Sequence, residues 1–271
     1  MDNYSVLMSV YFKEKPEYLR QSVDSMFAQT VPTNDFVLMC DGPLTEELNK
    51  EIETLQQKYG ETLRVIRMEE NRGLGPALNI GLQECRNELI ARMDSDDIAP
   101  ADRCELQLKK FQEDPELAIV GGAIDEFEGT PFNVISHKSM PEEHEAVLRY
   151  ARIRNPFNHP TVMYRRSVLL AAGSYPDNIL HEDYALWGKL LISGVKVCNL
   201  PQTLCFMRVD DGLFDRRGGW PYLRLAIKLR WSLYKSGLYT FWSFLYVISG
   251  LTIVCIVPIS VRKWIYKHIL R

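Results

Sequence analysis

From Arg216 to Arg271 the sequence contains no aspartate or glutamate, although ten lysines and arginines fall in that stretch. The net charge of −3 over 271 residues therefore hides a partition: residues 1–215 carry 22 basic against 35 acidic side chains, a net of −13. A uniform surface is excluded, and the last fifth of the chain meets a different partner from the rest. The six cysteines, Cys40, Cys85, Cys104, Cys198, Cys205 and Cys255, form no C-x-x-C pair, and most sit in apolar runs. That excludes the usual zinc spacing and suits reduced core thiols better than disulfides. The opening "MDNYSVLMSVYF" has neither the basic nor the apolar region of a signal peptide, so the acidic body of the chain is expected in the cytoplasm. There is no internal repeat and no low-complexity linker, and 46% hydrophobic with 25% charged residues argues against disorder.

What is present is an alternation of strands and helices. "SVLMSVYF" is a short, β-rich apolar run of the buried-strand kind. "PEYLRQSVDSMFAQT" follows it, with Leu19, Val23, Met26 and Phe27 at helical spacing behind Pro16. "DFVLMCDG" reads as a second strand, and Leu48, Ile52 and Leu55 mark the next helix. "TLRVIRM" then "GPALNIGLQEC", and "NELIARMD" then "PADRCELQLKKF", repeat the pattern. Four βα units in about 113 residues predict a mainly parallel, doubly wound sheet with ligands at the carboxyl ends of its strands. Beyond "LAIVGGAIDEF" the alternation loosens into loops, a strand and two helices.

At the end of the fourth strand, "IARMDSDDIAP" places Asp94, Asp96 and Asp97 within four positions. Carboxylates this close repel one another unless a cation or a set of donors compensates them. Asp94 and Asp96 form a D-x-D pair around Ser95, suited to holding Mg²⁺ or Mn²⁺ with diphosphate oxygens completing the shell. The competing explanation is a helix N-cap with solvated neighbours. "NRGLGPAL" nearly spells a dinucleotide fingerprint, but it lacks the third glycine and follows the third strand rather than the first.

The chain resembles the family 2 glycosyltransferases of GT-A fold that build bacterial capsule and O-antigen sugars. The resemblance rests on "SVLMSVYF", "VLMCDG", "ENRGLGPALNIGL", "IARMDSDDIAPADR", "NPFNHPTVMYRRS" and "HEDYALW", in family order over about residues 4 to 210. It implies a Rossmann-like GT-A domain over 1–215 and an inverting transfer of a hexose, UDP-Gal or UDP-Glc foremost. The implied acceptor is a saccharide on a polyprenyl diphosphate at the cytoplasmic face of the bacterial inner membrane. Nucleic acid is not among the expected partners.

The resemblance also implies roles. Asp41 would read the uracil ring, with the backbone around Val10 and Tyr11 lining the same pocket, and Asn71 and Gly73 would lie near the nucleotide sugar. Arg92 would either touch the diphosphate or pair with an acid. Asp183, in "HEDYALW", would be the general base, beside Glu182 on the acceptor side. A carboxylate is needed there to take the hydroxyl proton as the acceptor oxygen attacks. The bland account is an amphipathic helix with acids in its first turn. His159 is either a core histidine or part of the acceptor pocket, and Arg216 and Arg217 either hold a phosphate or are a solvated or lipid-facing basic pair. A nucleotidyltransferase shares the architecture but has no use for an acceptor-side base; a non-catalytic sugar-binding subunit has no use for the acids.

The remaining segment, 216–271, contains 26 uncharged residues from Ser236 to Val261, bracketed by Lys235 and by Arg262 and Lys263. About 20 apolar residues span a bilayer, but basic flanks on both sides give no orientation, and Gly250 and Pro258 can bend the segment. It is expected to associate with membrane lipids without necessarily spanning, with Trp242, Tyr246 and Trp264 at the interface and Arg224, Lys228 and Lys235 on anionic headgroups.

Overall fold

A computed structural model describes residues 3–176, 181–209, 219–257 and 261. It opens with β1 (Tyr4–Val10), α1 (Pro16–Phe27), β2 (Asp35–Cys40), α2 (Glu46–Tyr59), β3 (Leu63–Arg67), α3 (Leu74–Glu84), β4 (Leu89–Asp94) and α4 (Arg103–Glu113). These are the four βα units expected. Pro16 occupies the first turn of α1, where its missing N–H costs nothing. Thr45 caps α2 by accepting from the Leu48 N–H at 3.2 Å, and the buried face of α2 is Leu48, Ile52 and Leu55.

β1, β2, β3 and β4 are parallel in the order β3-β2-β1-β4. Alternation divides the sheet into two faces. Val6, Met8, Val10 and Leu38 face α1, α2 and α4 through Leu19, Val23, Leu48, Ile52 and Leu108. Leu7, Val37 and Met39 face α3 through Ala77, Leu78 and Leu82. Gly81 lets α3 come that close, since a Cβ there would lie 2.4 Å from Leu7 Cδ1.

The second half continues the same sheet. It comprises β5 (Leu117–Phe127), β6 (Val134–Lys138), α5 (His144–Ala151), β7 (Met163–Arg165), α6 (Arg166–Ala171), α7 (Glu182–Ile192) and β8 (Lys196–Arg208). β7 runs antiparallel between β4 and β5, β6 pairs antiparallel with β5, and β8 runs parallel to β5. The sheet is thus mixed but mostly parallel in its first half. β8 was not legible in the sequence because Pro201 and Gln202 interrupt it; the register jumps there from Gly122–Leu200 to Ala123–Thr203, a bulge that accommodates the proline.

Among the described residues two further helices follow, α8 (Gly219–Lys235) and α9 (Phe241–Ile256). Leu229, Leu233, Leu238 and Tyr239 join the same core cluster as α3 and α7. Tyr239 and Tyr184 share a hydroxyl hydrogen bond of 2.7 Å, and Gly188 of α7 leaves room for Leu233. The outward faces differ: Trp220, Arg224, Leu225, Lys228, Trp231 and Lys235 on α8 are exposed, as are Phe241, Trp242, Leu245, Tyr246 and Ile253 on α9. Among the described residues, no helix is long and apolar enough to cross a membrane.

Candidate active site

β1 continues through α1 to one side of the sheet, whereas β4 lies on the other, so the carboxyl ends of β1 and β4 form the topological switch point at which α/β sheets bind ligands. Ser9 and Asp94 are register partners at that place. A cavity of about 660 Å³ opens over it, lined by Ser9, Tyr11, Glu14, Asp41, Asn71, Gly73, Leu74, Asp94, Ser95, Asp96, His181, Glu182 and Tyr222. A second cavity of about 470 Å³ shares Tyr11, Glu14, Asp94 and Asp96 and adds Lys13, Lys15, Tyr18 and Arg208.

The Asp94–Asp97 turn is fixed from three sides. Ser22 of α1 donates to the Asp94 carbonyl at 2.6 Å, and Ser95 Oγ donates to Glu14 at 2.6 Å. From β8, the Arg208 N–H donates to Asp97 Oδ1 at 2.9 Å and Arg208 Nε to the Asp96 carbonyl at 3.0 Å. The Arg208 guanidinium stacks on Tyr18, 3.9 Å from the ring centroid. The turn does not cap α4, whose cap position is Asp102. Asp94 and Asp96 line both cavities, and Asp97, 2% exposed, lines the second. Burial, Asp94 and Glu14 together push Asp96 up to about 7. Arg92 offsets part of the charge through its ion pair with Asp94, and the remaining hard oxygen donors beside a cavity fit a divalent cation. Among the described residues no three His, Cys, Asp or Glu are grouped to hold a metal.

At the other end of the cavity, Asp41 is 3% exposed, and its carboxylate accepts the Arg72 N–H at 2.8 Å and the Gly73 N–H at 3.0 Å. Asn71 Nδ2 donates to the Asp41 carbonyl at 3.1 Å. Gly42 is required here: its φ is +83°, and a Cβ would lie 2.4 Å from the Asn71 nitrogen. Sequence reasoning saw Asp41 as a ligand contact and missed that it holds the Asn71–Gly73 loop.

α7 brings His181 and Glu182 to the cavity, and the next residue, Asp183, is 9% exposed and lines neither cavity. The helix is not amphipathic: Asp183 to Gly188, Leu190 and Leu191 are all buried. Asp183 Oδ2 accepts from Asn155 Nδ2 at 2.6 Å. Burial raises the pKa of Asp183, and burial and Asp183 raise that of Glu182. His181 caps the helix in the left-handed region, φ 60°, and its Nε2 lies 3.0 Å from the hydroxyl of Tyr222, which α8 brings to the cavity wall.

Three further expected residues are not among the cavity linings. Val10 is fully buried, and its carbonyl accepts the Asp41 N–H at 2.8 Å. Arg92 is 1% exposed, lines neither cavity, and pairs with Asp94 from beneath. The pairing with an acid is thus the one of its two expected contacts that the structure contains. His159 bonds the Tyr175 hydroxyl at 3.1 Å and packs edge-on to Trp187, the core-histidine arrangement; burial keeps its pKa well below the usual value. Arg216 and Arg217, like Pro258, Arg262, Lys263 and Trp264, lie outside the described residues. Glu14, Arg208 and Tyr222 lie outside every motif the sequence offers, and Asn155 lies inside "NPFNHPTVMYRRS" without a role of its own.

The fold is shared with a sugar-transferring enzyme of known structure. The mannosyltransferase PcManGT from Pyrobaculum calidifontis, in complex with GDP-Man and Mn²⁺, superposes with a TM-score of 0.62 over 96% of this chain and 78% of that one, at 15% identity. The family model described as "Glycosyl transferase family 2" matches residues 5–171. The chain belongs to that family. Among curated relatives, the UDP-Gal:alpha-D-GlcNAc-diphosphoundecaprenol beta-1,3-galactosyltransferase of Escherichia coli is 34% identical over 99% of this chain and 96% of its own. The amylovoran biosynthesis glycosyltransferase AmsE of Erwinia amylovora is also 34% identical, over 97% and 98% respectively.

Proposed function

We propose that the protein is an inverting hexosyltransferase of surface-polysaccharide assembly, moving a hexose from a UDP-sugar, UDP-Gal or UDP-Glc, to a saccharide on a polyprenyl diphosphate. The observation that carries this reading is the single cavity in which Asp41, Asn71 and Gly73 at one end and Glu182 at the other flank Asp94 and Asp96. The Escherichia coli relative, named for UDP-Gal and a diphosphoundecaprenol-linked acceptor, supports the substrate class, and the Erwinia relative, named for amylovoran biosynthesis, supports the setting.

In this reading Asp41 and the loop it holds bind the uridine, with Tyr11 alongside. Asp94 and Asp96 hold Mn²⁺ or Mg²⁺, which when bound neutralises charge developing on the diphosphate leaving group. Arg92 fixes Asp94 from below, and Ser95 is held by Glu14. Asp183 removes the proton of the acceptor hydroxyl as its oxygen attacks the anomeric carbon from the face opposite the diphosphate. One displacement inverts that centre. Burial raises the basicity of Asp183, which moves it toward the range useful for general-base work near neutrality.

The acceptor's lipid gives α8 and α9 their purpose. Their inner faces pack on the catalytic core, while their outer faces present basic and aromatic side chains suited to the headgroup layer. Residues 216–271 thus form a membrane-associated segment on the 1–215 catalytic part, and the protein works at the cytoplasmic face of the inner membrane. Incubation with UDP-Gal, UDP-Glc, UDP-GlcNAc and UDP-GalNAc and a synthetic lipid-diphosphate acceptor tests the reading. Transfer from one UDP-hexose with a divalent cation is expected; transfer of a nucleotidyl group instead would refute it.

A further inference from the structure

The segment "NPFNHPT" was singled out in the sequence, yet Asn155 lines neither cavity and carries no assigned role. It is heavily tied down. Asn158 Nδ2 donates to the Gly122 carbonyl at 3.0 Å, Asn199 Nδ2 donates to the Pro156 carbonyl at 3.2 Å, and Thr161 Oγ1 accepts the Gly122 N–H at 3.1 Å. Phe157 is 2% exposed and meets the Trp187 ring of α7 edge-on at 5.6 Å. Segment and helix are thereby locked to each other. The Asn155 amide is oriented as well: its Oδ1 accepts the Phe157 N–H at 3.3 Å, which turns Nδ2 toward Asp183 Oδ2, 2.6 Å away.

We infer that Asn155 is the positioning residue of the catalytic base, holding one carboxylate oxygen of Asp183 so that the other is presented to the acceptor hydroxyl. The inference rests on Asp183 being the base. An amide in this orientation is a donor only; it cannot take the acceptor's proton, and it favours the ionised carboxylate. Burial opposes ionisation of Asp183, and the Tyr184 N–H and Asn155 offset it. The charged and titratable groups around Asp183 are Glu182 on its own helix, Arg92 and Asp94 on β4, and Tyr175. All of them are unchanged in an Asn155 variant, so a shift on substitution reports the lost donor.

The test is the pH dependence of kcat/KM for sugar transfer in Asn155→Asp, Asn155→Ala and Asp183→Asn, with UDP binding measured in parallel. Asn155→Asp sets a second carboxylate against the base, and its acidic limb is expected to move up by about one to three pH units, with a smaller upward move for Asn155→Ala. The kcat at neutral pH falls about ten- to a hundred-fold, and UDP affinity stays as in the wild type. An unshifted acidic limb in folded Asn155 variants, with Asp183→Asn inactive, would overturn the inference and leave the base assignment standing. An active Asp183→Asn would overturn both. Should Asn155→Asp fail to fold, Asn155→Ala, which adds no charge, carries the same prediction.

Discussion

Ser9 and Asp94 face each other across the β1–β4 ladder, at the point where the parallel sheet changes winding direction. The pairing places the Asp94–Asp97 turn directly beside the loop after β1, which supplies Tyr11 and Glu14 to the same cavity. A carboxylate pair at this position is exposed to whatever the sheet binds.

Asp96→Asn should abolish transfer while leaving the fold intact, because it removes charge without changing shape. EDTA should silence the wild type, and Mn²⁺ or Mg²⁺ should restore it. Full activity of Asp96→Asn in chelator would remove the metal from the account.

Cation binding should depend on pH. Asp96 is held at about 7 rather than near 4, so it is protonated in a larger fraction of molecules as pH falls through neutrality. A ligand must be deprotonated to bind metal. Thermal shift on adding Mn²⁺ should therefore be larger at pH 8 than at pH 6; an equal shift at both would show that Asp96 is not a ligand.

Gly42→Ala should weaken UDP binding and lower the melting temperature. The added Cβ meets the Asn71 backbone, and the positive φ costs about 1 kcal/mol or more, which corresponds to at least about 2–4 °C in a chain of this size or somewhat smaller. Calorimetry with UDP and a thermal melt measure the two effects. An unchanged UDP affinity would show that the Asn71–Gly73 loop does not touch the nucleotide.

The four βα units were legible because each strand is a short apolar run and each helix repeats its apolar residues at 3.6-residue spacing, as Leu48, Ile52 and Leu55 show. The Asp94–Asp97 cluster draws notice because carboxylates so close repel one another, whereas Asp183 is marked only by the resemblance of "HEDYALW" to a family motif. For Arg92 the sequence leaves a diphosphate contact and an acid pair both open, and its position inside a strand, buried against Asp94, shows the pair. The roles of Arg208 and Asn155 escaped notice. Their partners lie 112 and 28 residues away in sequence, and single polar residues in loops or at strand ends carry no periodicity to mark them.

Membrane attachment is better tested by surface substitution than by truncation after Gly219. Loss of α8 and α9 would strip Leu229, Leu233 and Tyr239 from the core and Tyr222 from the cavity. Changing Arg224, Lys228 and Lys235 to Gln removes three exposed charges worth about 1 kcal/mol each near an anionic surface, roughly a 100-fold loss of partitioning into anionic vesicles. Turnover on a short-chain, water-soluble acceptor should be retained. Unchanged co-sedimentation with vesicles would mean that this face does not meet lipid.

The most direct measurement is sugar transfer by Asp183→Asn alongside the wild type, with the metal and lipid-diphosphate acceptor supplied and UDP binding followed calorimetrically. The account predicts that turnover drops by roughly 10²- to 10⁴-fold, that UDP-sugar affinity hardly changes, and that the wild-type product has an inverted anomeric centre. Loss of UDP binding together with turnover, or a retained anomeric configuration in the product, would contradict it.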